Sequence, residues 1–156
     1  MRLSNKIINY VIRDVAGERA IGLVTYLKNK KNISEFKIAD VLKKDIKEIR
    51  TTLYRLVNYN LVLSIRKKDK KKGWYIYYWT LNTDQIKYLF KDLKAKKIER
   101  LKERLEREKM SLFFVCGNKC IRLNFDQATE FEFKCPECGL LMNQENNAEI
   151  IDGLEK

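Results

Sequence analysis

The sequence predicts an α+β, mainly helical protein in three parts: a winged helix-turn-helix domain over residues 1–82, a long linker helix over 83–110, and a small four-cysteine ribbon over 111–142. A polar tail is expected over 143–156. Three observations carry this. Apolar residues recur at helical spacing up to about residue 60, then give way to strand-like runs at 61–66 and 74–81. The stretch from Thr83 to Lys109 contains no Gly or Pro. All four cysteines fall late in the chain as two close pairs, Cys116/Cys120 and Cys135/Cys138.

Ile7, Ile8, Val11, Ile12 and Val15 space out a short amphipathic helix over 4–15, which Gly17 interrupts. A second helix is expected from Glu18 to about Asn29, with Ala20, Ile21, Val24 and Leu27 on one face. The polar run 28–32 connects it to a third helix capped by Ser34 and carrying Phe36, Ile38, Ala39 and Val41. Lys43-Lys44 makes a tight turn. Asp45 caps a fourth helix to about Asn60, with Ile46, Ile49, Leu53, Leu56 and Val57 inward. Short helices, a turn and a longer helix form a helix-turn-helix, and the ribbon of two strands after it is a wing. Its basic tip is read as residues 67–73. The second strand, 74–81, is apolar on both faces, so it either packs in the core or offers aromatics to a partner.

Thr83 is the expected cap of the long helix. Its apolar stripe shifts partway: Ile86, Leu89, Phe90 and Leu93 share one face, while Ile98, Leu101 and Leu105 lie on another, rotated by roughly 100°. A coiled-coil dimer would keep one seam. The first half is therefore expected on the winged domain and the second against a different surface or a partner protein, with Lys94–Lys97 marking the switch.

Cys135-Pro136-Glu137-Cys138-Gly139 has the shape of a metal-binding knuckle, its Pro and Gly bending the backbone so that both sulfurs meet one ion. Residues 121–134 are long enough for a short hairpin joining the two pairs. Cys116, Cys120, Cys135 and Cys138 thus predict one tetrahedral structural zinc, with no open position for water or substrate. Iron also suits an all-thiolate site. The first pair is spaced C-x3-C, and Gly117 and Asn118 are expected to absorb the extra residue.

The net charge of +12 is uneven: +12 over residues 1–80, +4 over 81–110 and −4 over 111–156. A basic front half suits nucleic acid. The chain has no histidine, which removes His-based acid–base, triad and zinc chemistry, and no glycine-rich phosphate loop. These absences point away from an enzyme. No export signal or membrane-length apolar run is present, so a cytoplasmic protein is expected, with no membrane partner and no small-molecule substrate.

At this point the residues resemble a family. Val15–Ala20, Arg50–Leu56, Gly73-Trp74-Tyr75-Ile76-Tyr77-Tyr78-Trp79 and Phe125 through Gly139 are similar to archaeal transcription factor E, the counterpart of the large (alpha) subunit of the general transcription factor TFIIE. The family's first knuckle is usually C-x2-C, and this chain departs from it. The resemblance implies a nucleoid-associated basal factor without catalytic activity. It would bind RNA polymerase at the clamp and near the stalk and help open promoter DNA. It would act in a pre-initiation complex with the TATA-binding protein and transcription factor B. Some members have a smaller beta subunit.

Opening DNA requires preferential binding to separated strands. Lys67, Lys68, Lys70, Lys71 and Lys72 would supply phosphate contacts, and Trp74 and Tyr75 a face for stacking bases. In the fourth helix Arg50, Thr51, Arg55 and Asn58 could reach base edges, but Asp45 and Glu48 repel phosphate. The rival is a sequence-specific winged-helix regulator binding duplex DNA as a dimer. The shifted stripe and the closed thiolate set weigh against it.

Overall fold

The computed structural model describes residues 3–156; the first two positions of the predicted 1–82 domain lie outside the described residues. The chain divides into two compact units, one ending at Lys94 and the other spanning Ala95–Lys156. The division falls where the apolar stripe of the long helix shifts.

In the first unit, helix α1 (Asn5–Val15) begins at Ser4, whose hydroxyl accepts the Ile7 N–H. The helix expected over 18–29 is instead a 3₁₀ turn (Glu18–Ala20) followed by α2 (Ile21–Leu27). It ends early because Lys28 leaves helical backbone at ψ 130° and Asn29 turns left-handed at φ 61°. Strand β1 (Ile33–Ser34) leads into α3 (Glu35–Leu42), where the Ser34 hydroxyl accepts the Phe36 N–H. Lys43, left-handed at φ 51°, makes the tight turn. Asp45 then opens α4 (Ile46–Asn58) by accepting the Lys47 N–H. Both expected caps are present because Ser and Asp side chains satisfy first-turn donors that a helix leaves unpaired.

Strands β2 (Val62–Lys68) and β3 (Tyr75–Leu81) form the antiparallel wing, and β1 pairs with the other edge of β3. The strand register, Ser64 opposite Trp79 and Lys68 opposite Tyr75, decides which side chains face the helices. Trp79 and Leu81 are buried with Ile8, Ile12, Leu27, Ile38, Leu53 and Leu56 in one core. Burying each such aliphatic side chain contributes about 1.5–3 kcal/mol. Tyr54 meets Trp79 edge-on at 6.5 Å and Tyr77 stacks on it at 6.2 Å. Strand β3 therefore does both things its sequence allows: Trp79 is core, while Tyr75 is exposed. Val57, expected inward, is also exposed, since it lies just past the buried Leu53–Leu56 face of α4.

Helix α5 (Thr83–Met110) is capped by Asn82 rather than Thr83. The Asn82 side chain accepts the Gln85 N–H, its own N–H reaches the Leu61 carbonyl at 2.8 Å, and its amide donates to the Asn60 carbonyl at 3.0 Å. One residue thus starts the helix and ties it to the loop before β2. Replacing Asn82 with Ala is expected to cost about 1–2 kcal/mol in urea unfolding, and Thr83→Ala much less. Ile86 is buried, and Leu89, Phe90 and Leu93 pack on the same core.

The second unit holds the rest of α5, then β4 (Phe113–Cys116), β5 (Arg122–Asn124), α6 (Phe125–Glu130), β6 (Met142–Gln144) and α7 (Ala148–Glu155). The sheet order is β5-β4-β6, antiparallel throughout. Two expectations change here. Residues 121–134 are a strand and a short helix, not a hairpin, because Asn124 and Gln127 form a reciprocal capping box that starts α6. Residues 143–156 are not a loose tail: β6 pairs with β4, and α7 is held through the Lys109–Glu155 ion pair. Among the described residues, no helix is long and apolar enough to cross a membrane.

Candidate metal centre and nucleic-acid interface

The ribbon sheet brings the two cysteine pairs together. Cys116 ends β4, and its N–H donates to the Ile121 carbonyl. The extra residue of the C-x3-C loop is absorbed at Lys119, left-handed at φ 56°, whose N–H closes a turn onto the Cys116 carbonyl at 2.8 Å. Gly117 and Asn118, expected to do this, do not have positive φ. In the second knuckle the Gly139 N–H turns back onto the Cys135 carbonyl at 2.8 Å. Gly139 sits at φ 74°, a region that favours glycine.

All four sulfurs lie within 4.8 Å of one another. Cys116 and Cys138 approach to 3.3 Å, far beyond a disulfide bond of ~2.05 Å. A tetrahedral ion with metal–sulfur bonds near 2.3 Å needs sulfurs ~3.8 Å apart, so the cage is the right size for one ion. Its electrostatics ask for a cation. The Cys116 thiol is drawn down to about 7, chiefly because the Cys138 thiol donates to it. Cys120 is pushed up to about 12, first by its contact with Cys138 and then by burial. Cys138 is also raised: the Leu140 N–H favours its thiolate, but neighbouring thiols and desolvation outweigh that. Four thiolates at this spacing would repel one another and would need a dication among them.

The wing splits the predicted nucleic-acid residues. Lys67 and Lys68 belong to β2, not to the tip, and as neighbours in a strand they point to opposite faces. Lys70, Lys71 and Lys72 form the tip, where the Asp69 carboxylate accepts the Lys71 and Lys72 N–H groups and Gly73 turns at φ 74°. The Lys72 ammonium lies 5.3 Å from the Trp74 ring centroid. Arg66, which sequence reasoning passed over, holds its guanidinium 4.3 Å from the Tyr75 ring. The face shared by Arg66, Lys68, Tyr75 and Tyr77 is therefore cationic and aromatic. The opposite face carries Leu63, Ile65, Lys67, Ile76 and Tyr78. Strand alternation is the signal that separates the two sets.

The fourth helix is occupied by its own protein. Arg50 donates twice to one oxygen of the buried Glu35 carboxylate, at 3.1 and 2.8 Å. Arg55 donates to the Ala16 carbonyl, and the Thr51 and Thr52 hydroxyls donate back to the Lys47 and Glu48 carbonyls. Three of the four side chains that could read bases are engaged. Outward α4 presents Lys47, Glu48, Tyr54, Val57 and Asn58.

A further cluster had no sequence signal. Glu108, 4% exposed, accepts two parallel bonds from Arg122 at 2.8 and 2.7 Å. Arg122 also donates to Glu145 at 2.6 Å and lies 3.8 Å over the Phe113 ring. Asn147 donates to both the carbonyl and the carboxylate of Glu108. This network locks the end of α5 to the ribbon.

Together these features define a winged-helix protein with a four-cysteine ribbon able to hold one metal ion. A solved structure described as a possible transcriptional regulator from Methanosarcina mazei shares the fold, with a TM-score of 0.55 and 14% identity over 64% of this chain and 87% of that one. The family model described as TFIIE alpha subunit matches residues 6–110. Curated relatives named Transcription factor E span nearly the whole chain. That of Metallosphaera sedula is 35% identical over 97% of this chain and 87% of its own length. That of Sulfurisphaera tokodaii is 39% identical over 87% and 77%. That of Pyrococcus abyssi is 32% identical over 100% and 83%. The chain belongs to the TFIIE alpha family, on the archaeal transcription factor E side, and it is a basal transcription initiation factor. The resemblance first drawn from short stretches is thereby shown.

Proposed function

We propose that this protein binds RNA polymerase at the clamp and stalk and favours the open promoter by holding separated strands with its wing. It acts alongside the TATA-binding protein and transcription factor B, with a smaller beta subunit as an optional partner. The observation that carries this is a contrast within one domain. On the helix that would read duplex bases, Arg50, Thr51 and Arg55 bond to their own protein, while the wing leaves cations and rings exposed. Phosphate contact and base stacking are what a single strand offers, without base-edge readout. A sequence-specific dimeric regulator would need free polar side chains on α4.

Cys116, Cys120, Cys135 and Cys138 would hold one zinc ion, which supplies folding energy and no reaction. Lys67, Lys68, Lys70, Lys71 and Lys72 would contact phosphates, and Trp74 and Tyr75 would stack on bases, with Arg66 joining them. A factor that binds open and closed promoters equally shifts nothing, so the wing must distinguish them. Replacing the five wing lysines with Ser is expected to reduce open-promoter formation by about tenfold in permanganate footprinting, with little change in polymerase affinity. Unchanged opening by that variant would remove the wing from the mechanism.

A further inference from the structure

The second half of α5 sorts its charges by face. At about 100° per residue, Lys96, Lys97, Arg100, Arg104 and Arg107 fall within roughly 100° of one another around the helix. Glu99, Glu103 and Glu106 gather to one side of this stripe, and Ile98, Leu101 and Leu105 lie to the other. All five cations are exposed. Lys97, Arg100, Arg104 and Arg107 make no ion pair among the described residues. Glu108, four residues after Arg104, is taken by Arg122.

This is not the pattern of a helix that is merely solvated. Such a helix gains from opposite charges four residues apart and loses from like ones. Lys96, Arg100 and Arg104 stand at that spacing with like charge. A line of anions along the stripe would relieve their repulsion. From Lys96 to Arg107 the stripe runs about 16 Å, at a rise of about 1.5 Å per residue. Duplex nucleic acid offers one negative charge per about 1.7 Å of its axis. Residues 95–109 include no aromatic side chain to stack on unpaired bases, as a single strand would ask. What the stripe can make is a row of phosphate contacts, which hold a duplex without reading its sequence.

We propose that Lys96, Lys97, Arg100, Arg104 and Arg107 form a second nucleic-acid site, which binds the phosphates of a duplex irrespective of sequence while the wing takes separated strands. The two sites rest on different observations, and either holds without the other. The test is fluorescence anisotropy of the full-length protein with labelled duplex DNA, duplex RNA and single-stranded DNA, each about 30 nucleotides long, roughly three turns of duplex. Salt is varied from about 50 to about 200 mM, and RNA polymerase affinity is measured alongside. Arg100→Gln/Arg104→Gln/Arg107→Gln puts good helix formers on the stripe, and circular dichroism with the ribbon's thermal transition checks that it folds. The variant is expected to bind duplex DNA about tenfold or more weakly at the lowest salt, and its slope of log affinity against log salt to flatten by about 2–3. Single-strand affinity should change little. A parallel loss on duplex RNA makes the ligand duplex phosphate of either kind, and a loss confined to DNA makes it DNA; both support the site. Duplex affinity and slope unchanged from wild type, or an equal loss on single strands, would overturn the site and leave the wing's role standing. Polymerase affinity lost with duplex binding intact would give the stripe to a protein partner and overturn it too.

Discussion

Stripping the metal from the intact protein with a strong chelator is expected to melt the ribbon and leave the winged unit folded. The two units bury separate cores of very different size. The winged core includes Ile8, Val24, Leu53, Leu56, Trp79 and Ile86, all essentially sealed from solvent. The ribbon core consists of Cys116, Leu123, Ala128, Cys135 and Met142, and two of those five are candidate ligands. Apolar burial on that scale cannot offset the ordering of more than forty residues, each costing about 1–2 kcal/mol of backbone entropy alone. Structural zinc in small modules contributes about 10–16 kcal/mol at neutral pH, enough to decide the balance. Hydrogen exchange gives the readout. After chelation the amides of Cys135, Gly139 and Met142, all bonded across the knuckle, should exchange freely, while those of Leu53 and Leu56 keep their protection. Cys135→Ser should do the same without a chelator. Ribbon protection that survives complete metal loss would show that the cage is not what holds the unit together.

The winged domain was legible because local rules and packing agree there. Ser34 and Asp45 are both caps, and each stands four residues ahead of a buried residue, Ile38 and Ile49. The shift in the stripe of α5 coincides with the division of the chain after Lys94, but its second set builds no second core: Ile98 and Leu101 are exposed, at 52% and 39%. What escaped was set by partners distant in sequence. Asn82 won the cap from Thr83 because it also reaches Asn60, a contact no local pattern announces. Helix α7 has only Ile150, Ile151 and Leu154 as large apolar residues and a glycine at 153, too weak a period to read. At the four-cysteine cage the candidate ligands were plain from their count and spacing, but the left-handed residue in the first loop is Lys119, where side-chain type gives no cue. At the wing, lysine density alone suggested one patch. The pleat assigns Lys67 and Lys68 to opposite faces and brings in Arg66.

Arg122 shows the same point at higher energy, and its removal is the second large effect expected. Arg122→Met keeps an unbranched apolar stem and deletes the guanidinium, leaving the Glu108 carboxylate buried with the Asn147 amide as its remaining hydrogen-bond donor among the described residues. Breaking one side of a buried pair costs about 3–5 kcal/mol, whereas replacing both sides with apolar residues is often close to neutral. The ribbon transition of Arg122→Met should therefore fall sharply at neutral pH, and Arg122→Met/Glu108→Met should recover most of the loss. The pH dependence separates the pair from a packing effect. In the wild type Glu108 is held below its ordinary 4.5, first by the Arg122 hydrogen bonds, and burial opposes them. A depressed carboxylate stabilises the fold above its unfolded value and loses that contribution as pH falls through the folded one. In Arg122→Met the burial stands without its main counterweight and the folded value rises, so protonating Glu108 now relieves the fold. Thiolate protonation is common to both proteins and cancels in their difference. The stability gap between them should narrow first above 4.5, as Glu108 takes up its proton in the folded variant, and then further below 4.5, as the wild type loses its own contribution. A gap independent of pH would mean that Arg122 contributes only its stacking on Phe113.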